Sequence, residues 1–211
     1  DSCGAIHATY LGYNETTGKV DTECELWGVH VVENEVIGFE SGWNVVYGNV
    51  TFEDRIELPK NVNLILANGA TLTAKKGISV PEHGAFAIYA QSNDAATMGK
   101  LVVPGSEDGL PSLGSSGLNQ TDDITIYGGM VTVQGEYGCA AIGTVSDAGD
   151  SCDITIRGGV VTARGSNNSA GIGSGQGASC GNITISGGIV TAQGGYEGGA
   201  GIGSGSGASC G

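Results

Sequence analysis

From Ile124 the chain reads ITIYGGMVTVQGEYGCAAIGTVSDAGDSCD, from Ile154 ITIRGGVVTARGSNNSAGIGSGQGASCGN, and from Ile183 ITISGGIVTAQGGYEGGAGIGSGSGASCG. The lines repeat with periods of 30 and 29 residues. Self-similarity at such a period marks a repeat architecture, in which no unit can bury its apolar face alone and stacking supplies the core. Each unit runs I-T-I, a Gly-Gly break, V-T-(A/V), a Gly, a variable loop, then A-x-I-G and a Gly/Ser turn. Alternation of period two puts both Ile of I-T-I on one face and Thr on the other, and V-T-A repeats the device past the break. These segments are predicted as strands. Stacked in parallel, they align Ile124, Ile154 and Ile183, then Val131, Val161 and Val190, then Ile142, Ile172 and Ile202 into core columns. Gly128-Gly129, Gly158-Gly159 and Gly187-Gly188 fall where the backbone must turn sharply. The predicted fold is an all-β, single-stranded parallel β-helix, a right-handed solenoid with rungs of about 30 residues spaced about 4.8 Å apart.

Outward from this core, residues 41–120 carry less regular rungs: NVTF, RIEL, NLIL, TLTA, GISV, AFAIYA and KLVV, separated by turns such as Pro59-Lys60-Asn61 and Asn68-Gly69. Residues 121–211 form the regular, Gly-rich part. Residues 1–40 lack the rhythm and are expected to cap the first rung, because an open parallel edge invites pairing with other chains. The chain stops at Ser209-Cys210-Gly211, where the next I-T-I would begin. A longer protein or a partner is expected to meet that bare rung.

Composition narrows the class further. Of 211 residues 40 are Gly but only 4 are Pro, with no G-X-Y period, which excludes collagen, and 39% hydrophobic residues argue against disorder. A net charge of −14 leaves no basic surface for a nucleic-acid backbone. No apolar run approaches the ~18 residues of a membrane span, and no basic start with an apolar h-region is present, so if the protein is secreted its signal peptide is removed before residue 1.

With these residues in place, Gly42-Trp43-Asn44-Val45-Val46, Arg55-Ile56, the run Leu64-Ile65-Leu66-Ala67-Asn68-Gly69-Ala70-Thr71-Leu72, Lys76-Gly77-Ile78 and Ala87-Ile88-Tyr89-Ala90-Gln91 join the GG-x-VTA and AGIGSG units in a pattern. Over residues 41 to 211 it resembles secreted and surface-attached bacterial β-helix proteins, common in gut anaerobes and often labelled carbohydrate-binding or adhesin-like. The resemblance implies an extracellular parallel β-helix and carries over no catalytic residue.

Candidate chemistry is sparse. A polysaccharide-cleaving solenoid needs a basic residue beside a carboxylate-bound cation, or acids paired across a cleft. The repeated half holds only Arg157 and Arg164, and Asp122-Asp123 shares the phase of Asp153 and Asn182, which reads as a turn-capping ladder. His7, His30 and His83 stand apart. The expectation is therefore no enzyme and no required cofactor. Asp147, Asp150 and Asp153, three residues apart in a Gly/Ser loop, have the oxygen chemistry for Ca²⁺, although the aligned loop of the next unit has no acid and a solvated loop is the competing reading. Tyr137 and Tyr196 sit in the variable loop of alternate units, with Asn167 and Asn168 between them. Two tyrosines about 10 Å apart would straddle a glycan, or stand in the loops without a ligand. Thr125, Thr155 and Thr184 form one outward column and Thr132, Thr162 and Thr191 another, a pattern also seen on ice-binding faces. Here Arg164, the Gln at its phase, Met130, Val160 and Ile189 roughen the surface.

The cysteines lean toward an oxidising compartment. Cys3 and Cys24 enclose a core-poor segment that a bridge would stabilise. Cys152, Cys180 and Cys210 recur before successive strands, the first offset by one residue, and stacked rungs bring Cα atoms within disulfide range. Cys152 with Cys180 is allowed, which would leave Cys210 for a following rung or a neighbouring molecule. Cys139 reads as a small core residue. Five N-x-S/T sequons matter only where the source glycosylates. The expected function is a non-catalytic extracellular solenoid for adhesion or carbohydrate binding, with a surface glycan or a host or cell-surface protein as partner. The alternative is a structural subunit that stacks end to end into filaments.

Overall fold

A computed structural model of the chain describes residues 6–33, 38–105, 109–115, 121–136, 138–147 and 151–210. They form a parallel β-helix. Three sheets, of seven, six and six strands, take one strand each from every turn of the coil. The first rung is Gly42–Val46, Asn49–Phe52 and Ile56–Glu57; the second is Val62–Leu66, Thr71–Ala74 and Ile78–Val80. The third comprises Ala85–Ala90, Lys100–Val103 and Leu113–Ser115, and the fourth Thr121–Ile126, Met130–Gln134 and Ile142–Gly143. Ser151–Ile156, Val160–Arg164 and Ile172–Gly173 make the fifth, and Ile183–Ile185, Ile189–Gln193 and Ile202–Gly203 the sixth.

The repeat register holds residue for residue. Ile124 pairs with Ile154 and Ile154 with Ile183; Val131, Val161 and Val190 align, as do Ile142, Ile172 and Ile202. Ile124, Ile154, Val131, Val161, Ile142 and Ile172 are fully buried, each such side chain contributing about 1.5–3 kcal/mol. In the earlier rungs Leu64, Leu66, Leu72, Ile78, Phe86, Ile88, Leu101 and Leu113 continue the same core. The third sheet turns on a glycine column. Gly114, Gly143, Gly173 and Gly203 pair in series with φ of 156°, 140°, 133° and 122°, and a Cβ on any of the first three would land on the carbonyl of the next.

The N-terminal segment does two things. Strands β1 (His7–Asn14) and β2 (Lys19–Trp27) form an antiparallel hairpin, which lies against the outer side of the first sheet. Among the described residues of this segment, β3 (His30–Val32) extends that sheet, pairing in parallel with Asn44–Val46. Beyond it Phe39 packs toward Phe52 at 6.0 Å. The buried Asn44 amide bonds the Glu40 N–H and the Glu40 and Gly42 carbonyls, closing the chain over the first rung.

The hairpin is held by an aromatic stack. The Tyr10 ring meets Trp43 at 4.7 Å and Tyr89 edge-on at 5.0 Å, and Tyr89 stacks on Tyr127 at 4.6 Å. Further along, the Arg157 guanidinium lies 4.0 Å from the centre of the Tyr13 ring. Burial, then the Cys24 thiol beside it, pushes the Tyr10 hydroxyl up to about 12, and burial likewise raises Tyr89.

The cysteine column pairs differently from expectation. Cys180 is bonded to Cys210, with Cα atoms 4.9 Å apart, so neither the Cys152–Cys180 bridge nor an intermolecular Cys210 stands. The one-residue offset is the cause. Cys152 lies inside the first-sheet strand, opposite Asp122, whereas Ser179–Cys180 leaves that register and pairs with Ser209–Cys210 as a separate two-stranded ribbon. The covalent lock that Cys210 would lend to end-to-end stacking is thereby spent within the chain. Cys3 lies outside the described residues; Cys24 donates to the Thr22 carbonyl at 3.6 Å. Cys139 is buried and donates to the Gly109 carbonyl at 3.0 Å.

Candidate functional site

On the outer face of the second sheet every other residue points to solvent, because Val131, Val133, Val161 and Ala163 turn inward and are buried. The outward positions form ladders about 4.8 Å apart. Thr132, Thr162 and Thr191 are in register, continuing the line of Thr51, Thr73 and Val102. Next to them run Gln134, Arg164 and Gln193, also in register. Planar amide and guanidinium groups are thus stacked at the margin where the strand meets the variable loop. The Gln134 amide reaches the Gly135 and Arg164 carbonyls at 3.3 and 3.4 Å, which holds it along the ladder.

The loop beyond the ladder repeats its own geometry. Gly138, Asn168 and Glu197 share one phase and all take positive φ, at 79°, 63° and 67°. Glycine and asparagine tolerate that conformation most readily. The Asn168 N–H donates to the Tyr196 carbonyl at 2.8 Å, and the Asn168 carbonyl accepts from Ser206 N–H at 2.7 Å. These bonds fix Tyr196 one rung above Asn167, each three residues past its ladder residue. The Tyr196 side chain is 84% exposed. Together Gln134, Arg164, Gln193 and Tyr196 line a shallow trough of about 220 Å³ floored by Gly165, Gly194 and Gly195. A larger groove of about 600 Å³ separates the hairpin turn from the Gly158-Gly159 and Gly187-Gly188 corners.

Of the residues singled out from sequence, Tyr196 lines the trough, exposed Asn167 stands beside it, and Asn168 acts through its backbone; Tyr137 lies outside the described residues. The Gln134–Arg164–Gln193 ladder went unrecognised as a site. Its signal was the recurrence of a long planar polar side chain two residues after each V-T threonine. Asp153 and Asn182 brace consecutive rungs: the Asp153 carboxylate accepts the Asn182 N–H at 2.7 Å and its side-chain amide at 3.2 Å. Asp147 sits in a turn, its N–H on the Gln176 carbonyl at 2.7 Å, and Asp150 lies outside the described residues. Among the described residues no three His, Cys, Asp or Glu converge on a point that could hold a metal. The histidines are dispersed: His7 against Trp27, His30 on the Gly38 carbonyl at 2.7 Å, His83 beside Glu82. Among the described residues no helix is long and apolar enough to cross a membrane.

A family model described as a beta helix repeat matches residues 124–146, 154–176 and 183–206. These are the three units whose strands build the ladder and the trough. Sheet topology and repeat match together define the class, a parallel β-helix repeat protein. No curated protein and no solved structure matches the chain.

Proposed function

We propose that this protein is a non-catalytic extracellular β-solenoid that binds carbohydrate, or a glycan-bearing surface, through the trough on its second sheet. The observation that carries the reading is the exposed Tyr196 ring above the in-register Gln134, Arg164 and Gln193 side chains. A sugar presents an apolar C–H face and a rim of hydroxyls. The phenol supplies the flat apolar surface and the ladder supplies donors and acceptors at a regular step. Strands hold the ladder and the Asn168 backbone bonds to Tyr196 and Ser206 hold the loop, so little ordering is required on binding. The Cys180–Cys210 bond supports an oxidising, extracellular setting.

The test is a glycan array probed with the wild-type chain, Tyr196→Ala and Arg164→Ala. Binding to a restricted glycan set, lost in both variants while their far-ultraviolet spectra stay unchanged, is expected. No binding, or binding insensitive to both substitutions, refutes the reading. Uniform filaments in negative-stain images at micromolar concentration would favour end-to-end assembly in its place.

A further inference from the structure

The hairpin carries an aromatic surface of its own. Strand alternation sends Ala8, Tyr10, Cys24 and Leu26 toward the solenoid, which leaves His7, Glu23, Glu25 and Trp27 on the opposite side. His7 and Trp27 are cross-strand partners, and their rings lie 4.4 Å apart at 33°. The indole is 70% exposed, far more than packing against His7 alone would leave a core tryptophan. Tyr47, 42% exposed, reaches over from the first rung to donate its hydroxyl to the His7 carbonyl at 3.2 Å. The Glu25 carboxylate stands 3.8 Å from the His7 imidazole, on the same face of the hairpin as Trp27.

We propose that Trp27, with His7, Tyr47 and Glu25, forms a second ligand site, a stacking platform for a neutral pyranose ring. A sugar laid on the indole would place its C–H face on the ring and its hydroxyls against the Glu25 carboxylate, an acceptor of charge-assisted hydrogen bonds. Charge selects within the class. In a chain of net charge −14, with Glu23 and Glu25 on the same face, an acidic sugar is repelled and a neutral one is not. Size selects against a protein partner: one indole with an imidazole and a phenol falls well short of the roughly 800 Å² per side that a stable protein interface buries. The hairpin is anchored from behind by Tyr10 on Trp43 and Tyr89, so the platform is held in place before any ligand arrives. This site stands on the hairpin and on Tyr47 of the first rung, and does not depend on the trough.

The chain has two tryptophans, of which Trp43 is packed under Tyr10 and Trp27 is open. Titration of the full chain with cellohexaose, mannohexaose and xylohexaose, followed by tryptophan emission and by calorimetry, is expected to give a saturable blue shift with at least one of them. Half-saturation on the order of 0.1–1 mM suits one stacked ring with a few hydrogen bonds. Trp27→Ala should weaken the calorimetric affinity tenfold or more, and Glu25→Gln, which leaves the fold untouched, severalfold. Tyr196→Ala should leave the emission response unchanged, which separates this site from the trough. No response to any of the three, a response that survives both Trp27→Ala and Glu25→Gln in a Tyr196→Ala background, or a response only to a trimethyllysine peptide would overturn the proposal.

Discussion

Replacing Gly173 with alanine isolates what the third-sheet glycine column does. Gly173 has φ of 133° and would aim its new methyl at the Gly203 carbonyl, the group that accepts Ser174 N–H at 3.1 Å. Gly69 is the control: its φ is 72°, also left-handed, but nothing lies within 4 Å of its added Cβ. Gly69→Ala therefore meets backbone strain alone, about 1–2 kcal/mol. Gly173→Ala meets comparable strain, about 1–3 kcal/mol for overpacking, and about 0.5–1.5 kcal/mol for the weakened inter-rung hydrogen bond. The expected loss is roughly 2.5–6.5 kcal/mol, a large share of the roughly 5–15 kcal/mol that stabilises a typical domain. The excess over Gly69→Ala is about 1.5–4.5 kcal/mol, so at about 2–4 °C per kcal/mol for a chain of this size Gly173→Ala should melt at least about 3 °C below Gly69→Ala. Because each rung touches only its neighbours, hydrogen exchange should quicken first in the fifth and sixth rungs. Equal melting temperatures for the two variants would show that the rungs can part without cost, and the close-approach argument would fail.

Other expectations follow from the same contacts. Non-reducing peptide mapping should recover a Cys180–Cys210 linked peptide, and Cys210→Ser should destabilise the last rung by about 2–4 kcal/mol from the 30-residue separation; a Cys152–Cys180 peptide would contradict the register. Ile154→Ala, in a fully buried site between Ile124 and Ile183, should cost about 2–5 kcal/mol in chemical denaturation, and Ile183→Ala, half-buried in the sixth rung, clearly less. Tyr10 is raised in the folded state from 10.0 to about 12. Its contribution to hairpin docking is therefore complete below pH 10 and lost as pH rises through about 12. Absorbance at 295 nm should show this late ionisation, and Tyr10→Phe should remove one tyrosine's share of it, leaving that of Tyr89, also raised by burial.

Much of the fold was legible because a solenoid writes its contacts at a fixed sequence interval. The Ile and Val columns, the Gly-Gly corners and the irregular strands from NVTF to KLVV lie where alternation and turn residues put them. Less regular stretches hid the rest. Leu113–Ser115 and His30–Val32 are three-residue strands without a period of their own. The hairpin was obscured because its apolar residues are few and face a surface unknown until the solenoid exists.

The repeat alone determined the coil, its register and its core, since identical units at one interval bury their apolar faces only when stacked in parallel. Where three-dimensional neighbours come from unlike segments, sequence had no say. The tertiary structure decided that a one-residue offset sends Cys180 to Cys210 and leaves Cys152 opposite Asp122. It also decided that residues 7–27 dock on Trp43 and Tyr89, and that Gln134, Arg164, Gln193 and Tyr196 meet in one trough. Period fixes which residues repeat; only the closed coil fixes which of them share a surface.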